Sequence, residues 1–221
     1  MIRFFGGRVM TLANGIETQD IEVWTEGSKI VFVGKPKAEE LDGKVFEREY
    51  DLKGNLLMPS FKNAHTHSAM TFLRSYADDM PLQDWLFKQI FPMEAKLDGE
   101  KVYWLTKLAI LEYLTTGCTA TFDMYFELDD YVKACIESGF RSVLCGAVSG
   151  DKSNLERLEN NYLKYNGKDP LISFMLGFHA EYTCEKELME GVGKLAAKYK
   201  APVAMHNSET AKAVSYTHLT L

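Results

Sequence analysis

Five histidines stand at positions 65, 67, 179, 206 and 218, and four of them share a setting. "NAHTHSAM" carries His65 and His67 two positions apart. On a strand, residues i and i+2 face the same way, so both imidazoles can reach one point. His179 in "GFHAEY" and His206 in "AMHNSE" each close an apolar run, and Glu209 follows three residues later. Neutral imidazoles are good ligands for zinc and other late divalent ions. Three protein ligands with an open position suit a metal that carries a reactive water, whose pKa can fall to about 7. Such a water needs a proton shuttle beside it, and Glu209 is placed to be one. A single histidine at such a place is more often structural, and a first-turn carboxylate often just complements a helix dipole. Four histidines at run ends favour a site.

The elements that must hold these groups come next. Residues 1–57 read as a small β-domain, a partial β-sandwich. "EVWTEGSKIVFVG" gives two strands joined at Glu26-Gly27-Ser28, and "VFEREYDL" alternates as a third with one covered face. From about residue 58 to 212, apolar strands alternate with helices. The strands are "LLMPSFKNAH", "CTATFDMY", "RSVLCGAV", "ISFMLGFHA" and "PVAMHNS". The helices are "PLQDWLFKQIF", "GEKVYWLTKLAILEYLTT", "LDDYVKACIES", "LERLENNYLKYN" and "EKELMEGVGKLAAKYK". In the second, Val102, Leu105, Ala109, Ile110 and Tyr113 form a stripe at helical spacing. Gly117, Gly139 and Gly167 follow helices where a left-handed cap is expected. This rhythm means a parallel sheet covered by helices, either an open doubly wound sheet or a (β/α)8 barrel. No G-x-G-x-x-G follows a strand, which weakens the dinucleotide-binding open sheet. In a barrel the strand C-terminal ends carry the chemistry, and that is where the histidines fall.

The totals set outer limits. The chain has 221 residues, enough for a real core, and a formal charge of −6, which gives no electrostatic reason to expect nucleic acid or an anionic membrane as partner. No apolar run is long enough to span a bilayer, and the N-terminus lacks a signal-peptide pattern, so the expected location is cytoplasmic. Cys118, Cys135, Cys145 and Cys184 form no CxxC pair and read as reduced, packed thiols.

At this point the residues resemble a known family. "LLMPSFKNAHTHSAMTFLRSYADDMPLQDWLF" is similar to the opening of the metal-dependent amidohydrolase superfamily, in the branch of S-adenosylhomocysteine and 5-methylthioadenosine deaminases and related chlorohydrolases. "MPSFKNAHTH" matches the strand-1 HxH motif, "TTGCTATFDMY" strand 2, "GFHAEYTC" strand 4 and "MHNSET" the strand-5 His-x-x-Glu. The resemblance runs from residue 1 to about Lys212. It implies a TIM-type barrel and hydrolytic loss of ammonia from an adenine nucleoside or related aminated heterocycle. By it, His65, His67 and His206 hold one divalent metal, zinc first and Fe2+ second, and Glu209 is the general acid/base. Glu94 would grip ribose hydroxyls, Trp85 would form an aromatic wall, and His179 would contact substrate. Arg157 would be a substrate-side arginine, against its plain reading as a solvated helix residue. A cyclic amide hydrolase or a chlorohydrolase is the alternative, and a non-catalytic remnant a third. The partner implied is a small molecule, with a homo-oligomer open for the full-length protein.

The sequence departs from the family pattern in three places. Gly146 stands where an arginine is common, which bears on contacts to the substrate tail, and "SFK" replaces a usual Pro-Gly pattern. The strand-6 histidine and strand-8 aspartate have no counterpart. The fold expected is therefore a truncated (β/α)8 barrel with five β/α units, followed by an anomalous tail at 213–221 in which His218 is not a ligand. Open strand edges lead us to expect that the chain alone is insoluble or unfolded and without deaminase activity.

Overall fold

The computed structural model describes residues 1–13, 15–211 and 213–214, in two compact units, Met1–Ser60 and Phe61–Leu221. His218 and the rest of 215–221 lie outside the described residues.

The first unit contains β1 (Ile2–Phe5), β2 (Arg8–Met10), β3 (Thr18–Gln19), β4 (Glu22–Glu26), β5 (Lys29–Gly34), the short α1 (Ala38–Leu41), β6 (Arg48–Asp51) and β7 (Leu56–Leu57). Four strands form one sheet in the order β5-β4-β1-β6, and three form another in the order β3-β2-β7. The β4–β5 hairpin turns where expected, with Gly27 at φ 55°, a left-handed value that glycine adopts without a Cβ clash. Arg3 on β1 bridges its neighbours, bonding Glu22 on β4 at 2.6 Å and Glu49 on β6 at 2.9 Å. Trp24 is buried and stacks on Phe32 at 4.1 Å. The expected covered face of the third strand is corrected: all four residues of β6 are exposed. As the sheet's edge strand it gains only local cover, such as Tyr50 stacked on Phe4.

The second unit is a five-stranded parallel sheet of β8 (Phe61–Thr66), β9 (Cys118–Tyr125), β10 (Arg141–Gly146), β11 (Ile172–Ala180) and β12 (Val203–His206). A helical run of α2 (Leu82–Asp84), a π-helical turn (Trp85–Ile90) and α3 (Phe91–Glu94) precedes α4 (Gly99–Thr115) between β8 and β9. Then α5 (Leu128–Glu137), α6 (Leu155–Tyr165) and α7 (Lys186–Tyr199) separate the remaining strands. The spatial order β12-β11-β10-β9-β8 simply follows the chain. A doubly wound sheet reverses its order at a switch point, so this succession is of the barrel type.

One expected strand is two. The run at 56–65 breaks at Met58–Ser60, giving β7 to the first unit's sheet and β8 to the second. Pro59 has no N–H to give to a ladder, which makes the break natural. Nor is the run buried, since Leu56, Met58 and Phe61 are exposed. Among the described residues, β8 and β12 each pair on one side only.

The core lies between sheet and helices, where Leu144, Leu158, Leu176, Leu188 and Val192 are fully buried. In α4, Val102, Ala109 and Ile110 face inward as the stripe requires, with Leu105 and Tyr113 partly buried. Asp98 caps α4 by accepting from the Lys101 amide at 2.9 Å, and Gly117 ends it at φ 81°. The slot above Gly146 is filled by Leu158 of α6, whose Cδ1 lies 2.2 Å from where a Cβ would sit. Gly146→Ala is therefore expected to destabilise the protein by about 1–3 kcal/mol, because Leu158 is fully buried and has little room to yield. Urea denaturation of the two proteins measures this, and equal midpoints would refute it.

Candidate functional site

A flat sheet spaces its first and fifth strands about 19 Å apart, four steps of ~4.8 Å. Yet the His65 and His67 rings, at the end of β8, lie 5.1 and 5.2 Å from the His206 ring at the end of β12. The sheet therefore curls, bringing both edge strands' C-terminal ends to one place. One nitrogen from each of the three histidines falls within 4.8 Å of the others, the single such cluster found among the described residues.

The imidazoles are held, not merely near. His67 follows directly on β8 and opens a 3-10 turn, Ser68–Leu73. Its Nδ1 donates to the Met124 carbonyl at 2.8 Å, and His206 Nδ1 donates to the His179 carbonyl at 3.0 Å. A carbonyl can only accept, so both rings carry a proton on Nδ1, and their neutral forms leave Nε2 bare. Burial lowers the pKa of His67, which favours the neutral ligand form. Convergent bare imidazole nitrogens are a donor set suited to a borderline divalent cation.

A cavity of ≈ 660 Å³ opens beside them. His67, His179, His206, Glu209, Glu94 and Tyr182 supply most of its polar lining, with Ser149 and Thr183, and Met70, Trp85, Leu86, Phe87, Ile90, Phe91, Tyr125 and Phe126 much of the rest. The π-helical turn accounts for part of this wall. With i→i+5 spacing, Trp85 aligns with Ile90 and Leu86 with Phe91, and all four line the cavity. His65 lies against a smaller hollow shared with His67, Met205 and His206.

Among the polar groups, Glu209 is exposed and its Oε2 accepts from the Tyr182 hydroxyl at 2.9 Å. Burial and the nearby carboxylate push the Tyr182 hydroxyl's pKa up. The Thr183 hydroxyl donates to the Ala180 carbonyl, so its oxygen accepts from His179 Nδ1 at 2.9 Å. The other His179 nitrogen is left as an acceptor, and burial brings this imidazole's pKa down to about 4. Burial also raises the Glu94 carboxyl.

The cavity thus gathers His67, His206, Glu209, His179, Glu94 and Trp85, with His65 adjoining. Arg157 does not line this cavity: it is exposed on α6 and lines a second cleft with Asp129, Asn161 and Lys164, which shares Tyr125, Phe126 and Ala147 with the first. Tyr182 and Asp123 were missed. Asp123 is a charged residue inside the apolar run "CTATFDMY", which is itself a signal, since a fully buried carboxylate needs partners. Burial pushes it up to about 6, opposed by hydrogen bonds from Ser68 and Tyr131. The four thiols are free, and burial lifts those of Cys135 and Cys145 to about 12, as inert packing groups.

Comparison with known proteins agrees with this geometry. The model of the amidohydrolase family matches residues 56–220. The chain is 39% identical over 207 residues to a 5-methylthioadenosine/S-adenosylhomocysteine deaminase of Caldicellulosiruptor saccharolyticus, covering 93% of this chain and 48% of that protein. It is 42% identical over 199 residues to a 5'-deoxyadenosine deaminase of Methanocaldococcus jannaschii, covering 87% and 46%. Among solved structures, an adenosine deaminase from Xanthomonas campestris with bound zinc superposes with a TM-score of 0.83 at 29% identity, over 99% of this chain and 52% of that one. A guanine deaminase from C. acetobutylicum shares the fold, with a TM-score of 0.85 at 21% identity, over 99% and 56%. The chain spans about half the length of the curated relatives it matches. No helix among the described residues is long and apolar enough to cross a membrane. With the family model, the barrel-type sheet and the histidines at its strand ends in agreement, the chain belongs to the amidohydrolase family.

Proposed function

We propose that this chain supplies the metal-binding and proton-handling part of a hydrolytic deaminase for adenine nucleosides. The observation that carries the reading is the convergence of His65, His67 and His206 beside Glu209, at the mouth of an aromatic cavity. The three histidines would hold zinc, with Fe2+ as the alternative. A divalent ion there supplies Lewis acidity and can lower the pKa of a water to about 7. Glu209 takes a proton from the attacking water and delivers it to the departing amine. The Tyr182 hydroxyl fixes which Glu209 oxygen is engaged, leaving Oε1 for that proton. His179 presents an acceptor nitrogen to a substrate N–H, while Trp85 covers a face of the base and Glu94 accepts from ribose hydroxyls. The names of the deaminase relatives support an adenine nucleoside as the substrate class. The partner is this small molecule, and the cell compartment we propose is the cytoplasm.

A chimera tests the reading. Residues 1–211 joined to the C-terminal half of the Caldicellulosiruptor relative, loaded with zinc, are expected to release ammonia from 5'-methylthioadenosine or S-adenosylhomocysteine. The 221-residue chain alone is expected to release none. A folded, zinc-bound chimera that leaves every adenine nucleoside intact would sink the proposal.

A further inference from the structure

The same device recurs at the two edges of the curled sheet. At the β8 end, His67 Nδ1 donates to a carbonyl of the neighbouring strand, Met124. One residue on, the Ser68 amide donates to the carboxylate of Asp123, 3.2 and 3.3 Å from its two oxygens. The Ser68 hydroxyl also donates to that carboxylate, and Tyr131 donates from α5 at 2.7 Å. At the β12 end, His206 Nδ1 donates to the His179 carbonyl of the neighbouring strand. Two residues on, the Ser208 amide donates to Glu181 Oε1 at 3.0 Å. In both places a carbonyl orients the ring, and a carboxylate near it in sequence holds the backbone just downstream.

Each carboxylate bonds an amide just past the end of a strand, Ser68 after β8 and Ser208 after β12. His67 has φ −130° and ψ 77°, outside strand and helix, and Ser208 is in the left-handed region at φ 57°. A residue with a Cβ adopts that region only when its surroundings impose it. Asp123 is fully buried, and Glu181 Oε2 is buried with no hydrogen-bond partner among the described residues. Burying these oxygens is unfavourable and needs a compensating role.

We propose that Asp123 and Glu181 are positioning residues, each fixing the backbone just downstream of a metal-site histidine so that His67 and His206 reach their common point already oriented. This rests on the reading that the histidines hold a divalent metal. Groups that orient ligands in this way are typically worth 10–100-fold in metal affinity.

The test is zinc affinity of the chimera of residues 1–211 with the relative's C-terminal half, measured by competition with a chromogenic chelator, alongside ¹⁵N NMR of the imidazoles in the metal-free chimera. Asp123→Asn puts an NH₂ group against the Ser68 donors, and Glu181→Met removes the acceptor of the Ser208 amide. Each is expected to weaken zinc about 10–100-fold and to erode the Nδ1–H form of its own histidine. Asp123→Glu keeps the charge but moves it, and affinity should stay low. Recovery there would mean long-range attraction rather than positioning, and would overturn the proposal. Tyr131→Phe removes another bond to Asp123 and is expected to change zinc affinity less than about threefold. An equal loss in that variant would show that affinity tracks core integrity, and would also overturn it. If Asp123→Asn fails to fold, Glu181→Met carries the same test. His67→Ala separates the two readings. If it leaves zinc binding intact, the metal reading fails, and the imidazole spectra alone then judge the clamps.

Discussion

Glu209→Gln is expected to lower kcat of the zinc-loaded chimera by about 10²–10⁴, with metal content and KM little changed. The substitution keeps the side chain's length and an oxygen able to accept from Tyr182. It removes the ability to take and return a proton. Because Glu209 is exposed and three residues beyond His206, its loss should not disturb the fold or the three imidazoles. Tyr182→Phe should cost less, about tenfold, because the carboxylate remains and only its orientation loosens. Steady-state ammonia release with parallel metal analysis measures both. A fall of less than about threefold for Glu209→Gln would remove it from the chemistry, and loss of metal would reassign it as a ligand.

His67→Ala is the second large effect, expected to weaken zinc binding by more than about 100-fold. His67 contributes one of three converging nitrogens, and its ring is already fixed by the Met124 carbonyl. Removing a ligand loses more than loosening one, for which 10–100-fold is typical. The effect can be read as heat stability. A ligand present at a hundred times its Kd stabilises the native state by about 2.7 kcal/mol. Melting with zinc and then with a chelator should show that gain in the chimera carrying His67 and little of it in the His67→Ala chimera. Equal gains in both would show that the metal sits elsewhere.

Much of the second unit was legible in the sequence, for a physical reason. Strands β9 and β11 lie inside the sheet, so their runs are mostly apolar and start soon after glycine-capped helices, and both fall at the expected bounds. The histidines at run ends were legible because barrel chemistry gathers there. What was not legible is set by tertiary context. Pro59 divides a run that reads as one strand, and the division shows only once each half has found its sheet. The π-helical turn at Trp85 has no periodicity distinct enough from 3.6 to announce itself over six residues. The partners of Glu209 and Ser208, Tyr182 and Glu181, come from the neighbouring strand's loop, and no local pattern encodes that pairing. Arg157 shows the opposite case, a plausible residue type that lies exposed in a neighbouring cleft sharing Tyr125, Phe126 and Ala147 with the cavity, a placement that no local pattern encodes.

The filling of the Gly146 slot by Leu158 constrains how this lineage can change. A larger residue at 146 meets Leu158 before it meets any substrate, so its benefit depends on prior shrinkage at 158. Shrinkage alone opens a void against Phe174 and Gly177, which line the same slot. The two positions are thus coupled in the order of their substitutions: each single step passes through a less stable protein, and only the pair is accessible at low cost. An ancestor with a long side chain at 146 and a small one at 158 would be separated from this chain by a fitness valley rather than by a gradual slope.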